Sequence, residues 1–136
     1  MVKLALVFGV FDLLHDGHRA FVAQALQHAP QLVVVVACDS MVQRLKHKIP
    51  YETQEERMKK IRALAGIADV VAGDDVLGAY TIFKKYYPDL ICLGYDQRAL
   101  GTDLAQKMHE GLIPTIPLLY LKAYKPELYH TSLLHR

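Results

Sequence analysis

The sequence predicts an α/β fold built on a doubly wound, parallel, five-stranded sheet, and three observations carry that prediction. Short apolar, β-branched runs alternate with segments of helical period, the pattern of parallel strands joined by helical crossovers. The first run, Val2 to Phe8 with a single lysine, lacks polar alternation and reads as a strand buried on both faces. Polar segments follow strands one, two and four, at the end of an open sheet where ligands bind.

Taken in order, strand one spans about 2–9, and Gly9 lets the backbone turn without a side chain in the way. A helix should begin at Gly17 or His18 and run to about 28. It pairs Phe21 with Ala25 and Val22 with Leu26 before Pro30 closes it. Leu32 to Ala37 is too short and too β-branched for a helix, so it is the second buried strand. Asp39 or Ser40 can cap a short helix carrying Met41, Val42 and Leu45. Residues 46–52 form a basic loop, after which Thr53 and Glu56 make a capping box for a helix to about Ala65, ended by Gly66. Ala68 to Ala72 is a short third strand near an edge, and 79–87 reads as helical with Ile82, Phe83 and Tyr86 inward. Leu90 to Leu93 is the fourth strand. Thr102 can cap a helix to about Glu110, and 113–119 is a fifth strand whose Pro114 and Pro117 favour a sheet edge.

With 136 residues the chain is read as one domain, 1–136, able to bury a real core. A net charge of +2 supplies no strong field for nucleic acid or a membrane surface, so neither is expected as a partner. No apolar run approaches the roughly 18 residues of a membrane helix, and the N-terminus lacks a secretory layout. Cys38 and Cys92 stand apart in apolar contexts without metal spacing, as reduced thiols of a cytoplasmic protein would. No carboxylate cluster suggests a permanently held metal.

The stretch from Val7 to Ala20 organises the rest. His15 and His18 flank Gly17 where a helix starts, and a helix start offers unpaired N–H groups and a positive dipole end to an anion. The place suits phosphate. Phosphoryl transfer is accelerated chiefly by aligning the reacting groups and neutralising charge as it builds. Backbone N–H groups near Gly9, Val10 and Phe11 could hold phosphate oxygens, and the two imidazoles could donate to them. Asp39 and Ser40 follow strand two, and Gly94 to Gln97 follow strand four.

Gly9-Val10-Phe11-Asp12 with His15-Asp16-Gly17-His18 resembles the G-x-F-D-x-x-H-x-G-H signature of the cytidylyltransferase-like nucleotidyltransferases. The resemblance implies a Rossmann-like domain of the HxGH type. It also implies an enzyme that moves a nucleoside monophosphate from a nucleoside triphosphate to a phosphate-bearing acceptor and releases pyrophosphate. His15 and His18 are then the signature catalytic histidines, with Gly9 to Asp12 and Gly17 at the nucleotide. The family carries a lysine near Lys46, and Arg44 and Lys48 compete with it for the phosphates. Arg57 matches the arginine of an E-R element, whose plain alternative is an exposed helical arginine paired with a glutamate. Leu93-Gly94-Tyr95-Asp96 resembles the L-G-x-D element, placing Gly94 and Asp96 at the nucleotide. Thr131 and Ser132 resemble the C-terminal Ser/Thr cluster, for which a simple helix cap is the alternative. An arginine common before that cluster is missing, and Lys122 or Lys125 stands nearby. Lysine is a point charge and does not reproduce bidentate phosphate binding.

Within the family, L-G-Y-D-Q and a K-x-P-type loop resemble the archaeal FAD synthases, which adenylylate FMN. An isoalloxazine needs an apolar or aromatic slot, and Tyr120, Tyr124 and Tyr129 could supply it or could simply cover the core. The alternatives are a glycerol-3-phosphate or sugar-phosphate nucleotidyltransferase and a non-catalytic nucleotide-binding module. A dinucleotide oxidoreductase is disfavoured because no G-x-G-x-x-G follows strand one. The triphosphate implies Mg2+ held by phosphates and water. Homodimerisation is implied by the family alone.

Overall fold

The structure is a computed structural model that describes residues 1–123. Its elements are β1 (Leu4–Gly9), α1 (Asp16–Leu26), β2 (Gln31–Val36), α2 (Asp39–Lys46), α3 (Gln54–Arg62), β3 (Ile67–Ala72), β4 (Leu90–Leu93), α4 (Arg98–His109) and β5 (Leu118–Tyr120). All strands are parallel, in the order β3-β2-β1-β4-β5. β1 and β2 pair without a slip from Leu4 opposite Gln31 to Gly9 opposite Val36.

The two-residue period of the strands sorts their side chains into two cores. Ala5, Val7, Leu32, Val34, Val36 and Cys92 face α1 and α3, meeting Val22, Ala25, Met58 and Ile61. Leu6, Val33, Val35, Ile91 and Leu93 face the other way, against Leu104 of α4, Ile82 and Ile116. Residues facing both ways are therefore apolar, and this is why the strands read as unbroken apolar runs. Burial raises the Cys92 thiol to about 11, which keeps it protonated.

Four expectations are corrected. The helix read over 79–87 shrinks to a single 3-10 turn, Thr81–Lys84. It is entered by Tyr80 in the left-handed region (φ 46°), and the Tyr80 and Tyr86 hydroxyls are tied to Asp103 and Asp69. α4 starts at Arg98 rather than at Thr102, because the Gly94–Gln97 turn leads directly into it. α2 is capped by Cys38 with no side-chain bond, so neither Asp39 nor Ser40 is its cap. β5 is confined to Leu118–Tyr120, since Pro114 and Pro117 have no N–H to give the ladder. The Thr53–Glu56 capping box forms as read.

Candidate functional site

The strand order reverses direction between β1 and β4, and a cleft of about 900 Å3 opens there at the carboxyl ends of the strands. Its floor is the loop from Phe8 to His18. Gly9 is needed there for a reason the sequence did not disclose. A Cβ would lie 2.5 Å from the Phe11 ring, which folds back over it. The left-handed turns of this loop fall instead on Phe11 (φ 55°) and Leu13 (φ 52°).

The histidines form the start of α1 themselves. His15 is the N-cap, so α1 begins at Asp16, one residue before the expected Gly17, and the His15 Nδ1 accepts the Gly17 N–H at 3.0 Å. Three residues on, His18 Nδ1 accepts the His15 N–H at 3.2 Å. The pair is thus a capping box with imidazoles in the roles usually played by a hydroxyl and a carboxylate. The rings stack with centroids 3.8 Å apart. Because each Nδ1 accepts an N–H, each neutral ring carries its proton on Nε2, and both residues line the cleft. Burial, aided by neighbouring His15, lowers His18 to about 4. The site therefore presents neutral donors beside a helix N-terminus, which suits an anion that must also leave.

The two sides of the cleft differ. On the β4 side stand Gly94, Asp96, Gln97 and Lys122. Gln97 ties two strand ends together, donating to Phe8 O at 2.9 Å and accepting from Gly94 N–H at 2.8 Å. Gln24 of α1 holds the backbone of Lys122 by both its N–H and its carbonyl, each at 3.0 Å. On the β2–β3 side the wall is apolar, with Met41 and Leu45 of α2 and Val76 and Leu77 after β3. Leu45, Val76 and Leu77 are 58, 62 and 68 % exposed, a high exposure for three clustered aliphatic chains. The loop bearing Val76 and Leu77 is pinned where the Arg44 guanidinium reaches Asp75 O and the Cys38 thiol reaches Asp74 O.

Of the expected site residues, Gly9, Val10, Phe11, His15, Gly17, His18, Lys46, Gly94 and Asp96 line this cleft. Lys46 does so while Arg44 turns to Ser40 and Asp75, and Lys48 is not in the wall. Asp12, Asp39 and Arg57 also lie outside the wall. Asp12 accepts the N–H groups of Tyr51 and Glu52 at 2.8 and 2.9 Å. Arg57 is neither at the cleft nor an exposed helical arginine. It is fully buried, donating to Val10 O at 2.8 Å, Glu52 O at 3.1 Å and Asp39 Oδ1 at 2.5 Å. Tyr120 is not a slot in the cleft. Its hydroxyl packs on Gly101 of α4 and Arg98 lies 4.0 Å from its ring centre, so it covers the core. Thr131, Ser132, Tyr124, Lys125 and Tyr129 lie outside the described residues.

Sequence reasoning missed Gln24, Glu52 and the apolar wall. Gln97 was quoted with its motif but given no task. None carries a pattern of its own, since an amide or a leucine acquires such a role only from what the fold sets opposite it. Among the described residues, no three or more histidine, cysteine or acidic side chains cluster to hold a metal ion, and no helix is long and apolar enough to cross a membrane.

Comparison with known proteins gives consistent matches. The cytidylyltransferase-like family matches residues 6–130. The chain is 37 % identical to an FAD synthase of Thermococcus sibiricus over 128 residues, covering 91 % of this chain and 84 % of the relative. It is 44 % identical to an FAD synthase of Aciduliprofundum boonei over 118 residues, 85 % of this chain and 76 % of that one. A crystal structure from Thermoplasma volcanium, described as a lipopolysaccharide core biosynthesis protein, superposes with a TM-score of 0.80 at 30 % identity. It covers 92 % of this chain and all of that one.

Proposed function

The chain belongs to the cytidylyltransferase-like family and is a nucleotidyltransferase, and from that premise we propose that it joins ATP to FMN to make FAD. The observation that carries this reading is the alignment with relatives named FAD synthase over most of the chain. The apolar wall supports it independently. A small polyol phosphate gains nothing from exposed leucines, whereas the dimethylbenzene edge of a flavin is stabilised by covering them.

In the reaction an oxygen of the FMN phosphate attacks the α-phosphorus of ATP. The bond from that phosphorus to the bridging oxygen of the pyrophosphate breaks, and pyrophosphate leaves with the electron pair. His15 and His18 donate Nε2–H to oxygens whose charge grows in the transition state, next to the N-terminus of α1. Lys46 and Lys122 bring positive charge from opposite sides of the cleft. Backbone N–H groups of Gly9, Val10 and Phe11 face the phosphates, Gly17 leaves them room, and Gly94 and Asp96 take the adenosine. The resemblance alone assigns Thr131 and Ser132 a contact with the triphosphate. Asp12, Asp39 and Arg57 serve by shaping the loop. A divalent ion, most simply Mg2+, would accompany the triphosphate and neutralise part of its charge. The setting is the cytoplasm.

A second reading keeps this chemistry and changes the acceptor to a glycerol or sugar phosphate. It is favoured by the Thermoplasma volcanium relative. The test is pyrophosphate release with Mg2+, crossing ATP and CTP against FMN, glycerol 3-phosphate and a sugar 1-phosphate. Release confined to ATP with FMN is the expected result. Release with CTP and glycerol 3-phosphate would replace the acceptor, and bound nucleotide without release in any combination would leave a binding module.

A further inference from the structure

We propose that Glu52 is a positioning residue for the transfer, holding the backbone from which both histidine donors are aimed. Four observations converge on it. The Glu52 carboxylate lies outside the cleft wall and accepts the N–H of Leu13 at 2.8 Å. Leu13 is a non-glycine residue in the left-handed region, two residues before the His15 cap, and such a conformation persists only where its surroundings hold it. The bond is returned from the other side, because the Asp12 carboxylate accepts the N–H groups of Tyr51 and Glu52. Beneath both, buried Arg57 joins Glu52 O to Val10 O, so the two loops are fastened at both ends of the segment that turns.

The carboxylate is well placed for such a task. Its side chain is 12 % exposed and its second oxygen pairs with Lys60, whose own side chain is half exposed. Lys60 and the Leu13 N–H together hold the Glu52 carboxyl below the usual range, so it stays ionised at neutral pH. Glu52 touches no part of the cleft, so its effect must pass through Leu13 to His15 and His18. A misplacement of about 1 Å in aligned groups can cost on the order of a hundredfold in rate.

The inference rests on the nucleotidyl-transfer reading, and its test keeps the two apart. Wild-type pyrophosphate release tests the reading. The Glu52 series is then run on whichever acceptor supports release, and nitrogen NMR of the imidazoles needs no turnover. Glu52→Ala should lower kcat at least tenfold with KM for the nucleotide within threefold. Glu52→Gln keeps an amide oxygen for the Leu13 N–H and should return kcat to within threefold of wild type. Lys60→Met breaks only the half-exposed ion pair and should leave kcat within twofold. In Glu52→Ala the His15 and His18 signals should lose the Nε2–H tautomer pattern that Gln restores. Should Glu52→Ala melt below the assay temperature, Asp12→Asn weakens the other half of the clamp and carries the same expectation. Equal loss in the Ala and Gln variants, or an unchanged kcat with unchanged imidazole signals in Glu52→Ala, would overturn the proposal.

Discussion

Replacing Arg57 by methionine should destabilise the fold far more than removing its ionic partner, and the structure gives the scale. The guanidinium is fully buried and bonds two carbonyls and one carboxylate, belonging to Val10, Glu52 and Asp39. Methionine fills most of the space but offers no donor. Two part-buried carbonyls then go unpaired, each at about 1–3 kcal/mol. Asp39 loses less, because its side chain is 46 % exposed and water replaces the lost bond. The sum is roughly 2–6 kcal/mol, spanning the range for opening a buried ionic contact from one side. In a chain of this size that lowers the melting temperature by roughly 8–24 °C. Asp39→Asn keeps an acceptor at the same place and should cost under about 1 kcal/mol. Urea unfolding followed by circular dichroism measures both. The reasoning fails if Arg57→Met costs less than about 1 kcal/mol, or if Asp39→Asn costs as much as Arg57→Met.

Acid should weaken the fold through His18. Its folded value, about 4, lies below its ordinary 6.5, so the unfolded chain binds the extra proton first. The stabilisation is whole above pH 6.5 and is lost as pH falls from there through 4, by about 1–2 kcal/mol after allowance for solvent at this part-exposed ring. Melting curves of wild type and His18→Gln between pH 7 and pH 4 should converge as pH falls, and parallel curves would refute it. Leu77→Asp puts a charge into the apolar wall and should raise KM for FMN about tenfold while that for ATP moves far less; a larger effect on ATP would assign the wall to the base. Gly101→Ala drives a Cβ to 1.9 Å from the Tyr120 hydroxyl and should cost about 1–3 kcal/mol, much of it recovered by adding Tyr120→Phe. Absence of that recovery in a double-mutant melt would unseat Tyr120 from α4.

The sheet was legible because its signal is local and repeated. Strands apolar on both sides are what a sheet covered on both faces requires, and Leu90 to Leu93 falls where the sequence put it. The errors share a cause. Thr102 has the chemistry of a helix cap, yet α4 begins a turn earlier because Gln97 is already held by Gly94 and Phe8. The apolar period over 79–87 favours a helix, yet two tyrosine hydroxyls reach for carboxylates 17 and 23 residues away. In each case a distant partner outweighed a local preference worth a few tenths of a kcal/mol per residue.

The site divides in the same way. The histidines were legible because their chemistry and their helix-starting geometry lie within four residues, so one stretch of sequence encodes both donors and the cap that aims them. The groups that hold that stretch lie about 40 residues on, where Glu52 looks like an ordinary surface charge until the chain folds and Arg57 stood out only by its resemblance to an E-R element. Phe11 and Leu13 take left-handed turns that glycine would take at less cost. A glycine there would turn as readily but would give up the packing of the Phe11 ring over Gly9. The loop thus trades conformational ease for a fixed shape, and its shape is maintained by its own Asp12 together with Glu52 and buried Arg57 from outside it. A phosphate site built this way has its chemistry in the motif and much of its precision in Glu52 and Arg57, which that motif does not contain.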